Sequence, residues 1–484
     1  MNRRGMSAGV WCIYGIYDDE QKSASGARAP LALDSRTMPR VAPFPGIGYA
    51  LDRFGVDAAP DRVRLAEDEE APPVRLADLT DLACPPYDVI SDRQREELLA
   101  RDERNAVRLE WSAEPDPHGA AAATLDAWLA DGTLERRKAP AAFYYRHGTA
   151  AMPDDPTVEG IVVRVLLEPW GDGVRRHEHT MPGPKADRLS LLRATRTQLS
   201  PILSVYFDRS ERYHHVMSRA WTDEWRARDG DGILHQLLAI EPDDRLLGNL
   251  GRQTLFVADG HHRYETALAY QAEVRADPRW ADTPEGALAA DWIMMMVVNA
   301  ELTELEIRPT HRLLLDADVD ALRGLAGGDD PLWQAIPMAP HELAAALEER
   351  RHEETPVVGL VLPGDDGYLL VGDGDGLGDR LRRERMSGAV RELDLAALHV
   401  ALLGDRLGIS ADDVAGGTRL AYTRDEADAR ARVARGDASA AILVRPTPLD
   451  QLAAVASAGE VMPQKSTYFY PKLLTGMVFN PLED

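Results

Sequence analysis

Cysteine is scarce: the 484 residues contain two, Cys12 and Cys84, far apart in the chain. A disulfide framework and a Cys-rich zinc site are thereby excluded, and a reducing, cytoplasmic setting is expected. Long apolar runs are missing as well. The longest, WIMMMVV at 292–298, falls far short of a membrane span and has the length of a buried strand. Basic residues are outnumbered, 55 Lys and Arg against 80 Asp and Glu. The resulting net charge of −25 repels a nucleic-acid backbone unless a local basic patch overrides it. Also absent are a Walker P-loop, a dinucleotide fingerprint, a Gly-x-Ser-x-Gly elbow and any internal repeat.

What is present describes a globular protein, with 44% hydrophobic and 28% charged residues and a length that predicts two or three domains. Residues 1–37 carry basic residues and a short, interrupted apolar stretch without a small-x-small cleavage pattern. They are expected to be a flexible extension, with Met38 an alternative start. Residues 38–320 are expected to form one region and 321–484 a C-terminal α/β domain.

Local patterns predict a helix over SDRQREELLARD (91–102), capped by Ser91 or Asp92, and another from about Ala186 to Thr197. AVRLEW (106–111) reads as a strand, TPVVGLVLPGDDGYLLVGD as a hairpin and VRELDLAALHVALLGDRLGI as one amphipathic helix. The Gly-rich GDGDGLGD (372–379) reads as a loop. Strands and helices interleave throughout, so the fold class is α/β, in the mixed α+β sense.

The stretch LFVADGHHRYETALAY (255–270) concentrates the chemistry. Its apolar start predicts a buried strand, expected to pair with WIMMMVV, and its end predicts a helix. Asp259 is placed to cap that helix, and Gly260 lets the backbone turn sharply and approach a ligand. A helix N-terminus offers unpaired N–H groups and a positive dipole end, where His261, His262 and Arg263 also sit. Donors and cations converging there suit an anion, most naturally phosphate. A metal fits less well, because adjacent histidines on a helix point about 100° apart. The plain structural alternative is a capped helix with both histidines in solvent.

Three further clusters stand out. In HEHTMPGPKADR (177–188), His177 and His179 would face one side of an extended segment and Glu178 the other. Lys185 and Arg188 follow near a helix start, a second place suited to phosphate. A solvated charged loop explains the same residues. In CPPYDVI (84–90), Asp88 follows a rigid Pro-Pro step and either aims at a ligand or caps the next helix. MPQKSTYFYPK (462–472) sets Lys465 and Lys472 around an aromatic strand, for binding or merely as solvated lysines beside core tyrosines.

Taken together, PPYDVI, HEHTMPGPKADR, the Ser-Pro at 200–201, ADGHHRYETA and KSTYFYPKLLTGMVFNPL resemble the domain of unknown function 1015 family, from about Met38 to the C-terminus. The Asp-Gly-His-His-Arg turn is more remotely similar to that of the ParB/sulfiredoxin superfamily, which includes free serine kinases. The resemblance implies a ParB/sulfiredoxin-like strand–turn–helix core holding nucleotide phosphates. It further implies a nucleotide-dependent phosphotransferase acting on a small hydroxylated metabolite, with free L-serine as the first candidate. ATP or ADP and Mg2+ would be the cofactors.

On this view Gly260, His261, His262 and Arg263, with Asp259 beside them, hold phosphate, and Lys185 and Arg188 neutralise the rest. Glu178, or else Asp88, accepts the proton of the hydroxyl, with His262 alongside. The alternatives are a ParB-like nucleotide-binding regulator without turnover and a phosphohydrolase using the same pocket. The partners expected are a small molecule and a nucleotide, with neither nucleic acid nor membrane.

Overall fold

The computed structural model describes residues 38–56, 75–171, 173–178, 180, 182–209, 223–241, 244–326 and 330–483. The expected extension over 1–37 lies outside them, as does His179. Among the described residues, two large sheets, three two-stranded ones and the helices packed on them give the expected mixed α/β class.

The strand Trp292–Asn299, which contains the WIMMMVV run, shows how the larger sheet is built. All of its residues are buried. Side chains alternate across a strand, so Met294, Met296 and Val298 enter one apolar core and Ile293, Met295 and Val297 another. Burial on both faces is what makes the run continuously apolar. Its neighbours are Val158–Leu166, antiparallel, and Ile202–Tyr206, parallel. The strand Leu255–Asp259 pairs with the far side of Ile202–Tyr206, so the expected direct pairing with Trp292–Asn299 does not occur. Both strands are core strands, and local pattern does not rank partners within one sheet.

The smaller sheet is antiparallel and runs in the order Trp333–Pro337, Asp366–Gly372, Val357–Leu362, Ala440–Val444, His311–Leu314, Leu420–Thr423. It contains the expected hairpin, Val357–Leu362 with Asp366–Gly372. One apolar core reaches from Met296 and Val298 of the first sheet to Leu314, Leu360 and Ile442 of the second.

The C-terminal segment then crosses back. Tyr468–Tyr470 pairs with Glu306–Arg308, and Asn480–Pro481 pairs with Thr197–Gln198. Single bridges tie Met462 to Glu178, Thr475 to Cys84 and Phe479 to Ile47.

Several local readings give way to packing. AVRLEW contains a short helix, Val107–Glu110, not a strand; the Asn105 side chain accepts the Val107 N–H and starts the turn. GDGDGLGD is not a loop: Gly374–Arg383 is a helix capped by Asp373, because Leu377 and Leu381, one turn apart, are both buried in the core. That burial outweighs the poor helix propensity of glycine. The single helix expected after Val390 is broken into Gly388–Arg391, Asp394–Ala397 and a π-helical segment Leu398–Gly404. The helix expected from Ala186 begins a turn earlier, as Pro182–Thr195. Among the described residues, no helix is long and apolar enough to cross a membrane.

Candidate functional site

The strand Leu255–Asp259 leads through Gly260 into the helix His261–Arg275, the strand–turn–helix that the apolar run and the glycine predict. Gly260 has φ 101° and ψ 26°, in the left-handed region. A Cβ there would stand 2.5 Å from Ile202 Cγ2 and 2.8 Å from Ile202 Cβ. Conformation and space both demand glycine. Gly260→Ala is therefore expected to lower unfolding free energy by about 3 kcal/mol. Chemical denaturation measures it, and a loss below about 0.5 kcal/mol would mean that the turn relaxes freely.

Asp259 is not the helix cap that its local placement suggests; Gly260 occupies the N-cap position. Its carboxylate instead takes Lys472 Nζ at 2.5 Å on Oδ1 and Arg263 Nη2 at 2.7 Å on Oδ2. Burial alone would raise this carboxyl, but Lys472 and Arg263 outweigh it and hold the group well below the usual carboxylate range. Lys472 shows the converse. Burial would lower its ammonium, whereas Asp259 and Asp88 keep it above the ordinary lysine value. The remaining Arg263 contacts are also made, from Nη1 to Ser200 Oγ at 2.9 Å and to the Pro201 carbonyl at 2.8 Å.

The two histidines diverge, as their helical spacing requires. The buried His261 ring stands edge-on to His177, with ring centres 4.6 Å apart. His177 is itself buried, its Nδ1 donating to Val257 O at 2.8 Å while Nε2 lies 3.0 Å from the Thr467 hydroxyl. Burial lowers His177 to about 4 and His261 well below the ordinary value, so both rings are neutral at pH 7. His262 lines a cavity instead, and burial followed by Lys465 depresses its basicity.

That cavity, of about 250 Å³, gathers most of the residues singled out in the sequence. Asp88, Glu178, Asp259, Gly260, His261, His262 and Arg263 all line it, together with Lys465 and Lys472. Asp88 stands in the turn Tyr87–Val89 and does not cap the following helix; Ser91 does, in a capping box with Gln94. Glu178 accepts the Lys465 N–H at 3.1 Å. Burial pushes its carboxyl above the ordinary carboxylate range, with Lys465 pulling the other way.

Two expected phosphate ligands lie elsewhere. Lys185 Nζ is bound to Glu265 at 2.8 Å, outside this cavity. The buried Arg188 guanidinium lies 4.0 Å over the Tyr87 ring and bonds to Asp187 and to the Glu110 carbonyl. It backs the Tyr87 wall without lining the cavity. Carboxylates hold both cations: the Glu265 partner of Lys185 is 80 positions away, whereas the Asp187 partner of Arg188 is its neighbour in the chain.

Lining residues that the sequence does not single out come from the smaller sheet and its flanks: Thr310, Tyr422, Thr423 and Arg424. Tyr468 lies between two cations, Arg424 at 4.2 Å and Lys472 at 4.4 Å from its ring. No local motif marks Tyr422 or Arg424; only the clustering of Lys465, Tyr468 and Lys472 hinted at this side. Cations and carboxylates thus line one small polar cavity, able to hold an anion beside a carboxylate of raised basicity. Among the described residues, no group of three His, Cys, Asp or Glu side chains is placed to hold a metal ion.

Solved structures share only a loose likeness with this chain. A free serine kinase variant in complex with ADP aligns at TM-score 0.32 and 10% identity, covering 63% of this chain and 90% of that one. SbnI with a C-terminal truncation, from Staphylococcus aureus, aligns at TM-score 0.31 and 13% identity, covering 64% and 84%. A conserved hypothetical protein from Pyrococcus furiosus gives TM-score 0.31 and 12% identity, covering 62% and 89%. Likeness at this level carries no weight for function. No curated protein matches. The family model described as Protein of unknown function (DUF1015) matches residues 70–396, more than half of the chain, and the chain belongs to that family.

Proposed function

We propose that the cavity is the active site of a nucleotide-dependent phosphotransferase acting on a small hydroxylated metabolite, with free L-serine the first acceptor to test. One observation carries the reading: Asp88, Glu178, the Gly260–Arg263 turn, Lys465 and Lys472, drawn from distant parts of the chain, line a single small cavity. Phosphoryl transfer asks mainly for positioning and charge neutralisation, which such a set supplies.

In this reading the terminal phosphoryl group of ATP or ADP lies against the first turn of the helix, near Lys472 and Lys465. The acceptor hydroxyl attacks phosphorus, the bond to the nucleotide oxygen breaks, and the hydroxyl proton passes to the Glu178 carboxylate. Burial of Glu178 suits it to that work, because a carboxylate of raised basicity is a better proton acceptor at neutral pH. The presence of both charge signs suits a zwitterion, with the acceptor carboxylate toward Arg424 and its ammonium toward Asp88. Magnesium would enter on the nucleotide, coordinated chiefly by phosphate oxygens and water. The ParB/sulfiredoxin-like character of the strand–turn–helix core belongs to the same proposal.

Incubation with ATP or ADP, magnesium and single amino acids, followed by 31P NMR, tests it. Phosphoserine formed only when serine is present is the expected result. Phosphate release independent of any acceptor would replace transfer by hydrolysis. Nucleotide binding without turnover would make the protein a regulator.

A further inference from the structure

Arg312, in the strand His311–Leu314, is completely buried. A guanidinium in such a place needs compensation for lost hydration, normally from a carboxylate. Here its hydrogen bonds go to main-chain carbonyls. Nη1 donates to Thr310 O and Nη2 to Gln464 O, the latter at 3.2 Å, while Nε is buried without a partner among the described residues. The Tyr422 ring lies 5.6 Å away, and its buried hydroxyl likewise has no hydrogen bond among the described residues.

The Gln464 carbonyl belongs to the same peptide group as the Lys465 N–H, and that N–H donates to Glu178 Oε1 at 3.1 Å. One peptide therefore has a buried cation on its oxygen and the cavity carboxylate on its hydrogen. Its orientation is imposed by the surroundings, because Lys465 holds φ +57°, a conformation that lysine seldom adopts.

We propose that Arg312 is a positioning residue for Glu178, acting through the Gln464–Lys465 peptide. The guanidinium polarises the carbonyl, strengthens the N–H as a donor and fixes the carboxylate that the peptide holds. It also supplies positive charge behind Glu178 without touching the ligand space. Charged and titratable groups that interact electrostatically with Glu178 include Lys465, Asp259, Arg312 and Tyr422, from four separate segments, and of these Arg312 is sealed from solvent. The inference rests on reading Glu178 as the base.

The test compares the wild type with Arg312→Met, which removes the charge while keeping apolar bulk. The carboxyl carbon of Glu178 is followed by NMR in protein labelled with 13C-glutamate, its signal assigned by its loss in Glu178→Gln. Glu178 is expected to titrate about one pH unit higher in Arg312→Met, a tenfold change in protonation. Thermal stability should fall modestly, because the Thr310 and Gln464 carbonyls lose their donor while the buried charge is relieved. An unchanged titration, within about 0.3 unit, overturns the proposal. Should Arg312→Met fail to fold, Arg312→Gln keeps an N–H for Gln464 O without the charge; a smaller upward shift is expected, and no shift overturns the proposal equally. Turnover that survives Glu178→Gln would instead defeat the base assignment, leaving the titration result as it stands.

Discussion

Replacing Asp259 by alanine is expected to lower the free energy of unfolding by about 3–5 kcal/mol, the usual cost of stranding buried charges. Lys472 and Arg263, with side chains 9% and 16% exposed, would be left facing each other across the space the carboxylate filled. Equilibrium unfolding in urea measures the loss. The double variant Asp259→Asn with Lys472→Met should recover part of it, because the cost lies in the unpaired cation and the two changes are not additive. A loss below about 1 kcal/mol would show that the carboxylate is not what holds these cations in place.

The pH dependence has a definite sign. The folded-state carboxyl of Asp259 is depressed below its unfolded value by Lys472 and Arg263, against the opposing effect of burial. Its stabilisation is therefore complete above about pH 4 and disappears as pH falls further. In Asp259→Ala the stability curve should be flatter across that acidic window than in the wild type.

Glu178→Gln is expected to reduce turnover by roughly 10²- to 10⁴-fold, the range for loss of a general base. Nucleotide affinity should change little, because the amide keeps the shape of the side chain and can still accept the Lys465 N–H through its oxygen. Initial rates and isothermal titration separate the two quantities. Equal loss in both would mean that Glu178 holds the ligand and that the proton goes elsewhere, with Asp88 the next carboxylate in the cavity. Arg263→Ala is a poorer probe of phosphate binding than its position in the motif suggests. That side chain also fastens Asp259, Ser200 and Pro201, so stability should fall along with affinity.

Legibility followed the range of the interactions involved. The run LFVAD and the glycine after it are local signals, and they led to a buried strand, a left-handed turn and a helix. WIMMMVV was legible as a core strand for the same reason. The misreadings were also local arguments, applied where distant partners decide. Local placement points Asp259 to the nearest unpaired N–H groups, whereas its ammonium partner is 213 positions away. Lys185 and Arg188 stand in the motif as phosphate ligands, while Lys185 pairs with Glu265, 80 positions away, and Arg188 bonds the Glu110 carbonyl, 78 positions away. The glycines of GDGDGLGD favour a loop, while Leu377 and Leu381 enter a core.

By itself the amino-acid sequence determined the mixed α/β class, the glycine-hinged strand–turn–helix and the types of side chain at its bend, since backbone sterics and side-chain periodicity act within a few residues. The tertiary structure alone decided that Lys472 neutralises Asp259, that Tyr422 and Arg424 line the cavity, and that a peptide links Arg312 to Glu178. Those outcomes depend on burial and on distances of a few ångströms between separate strands. Charge interactions change steeply with both, and neither can be read from position in the chain.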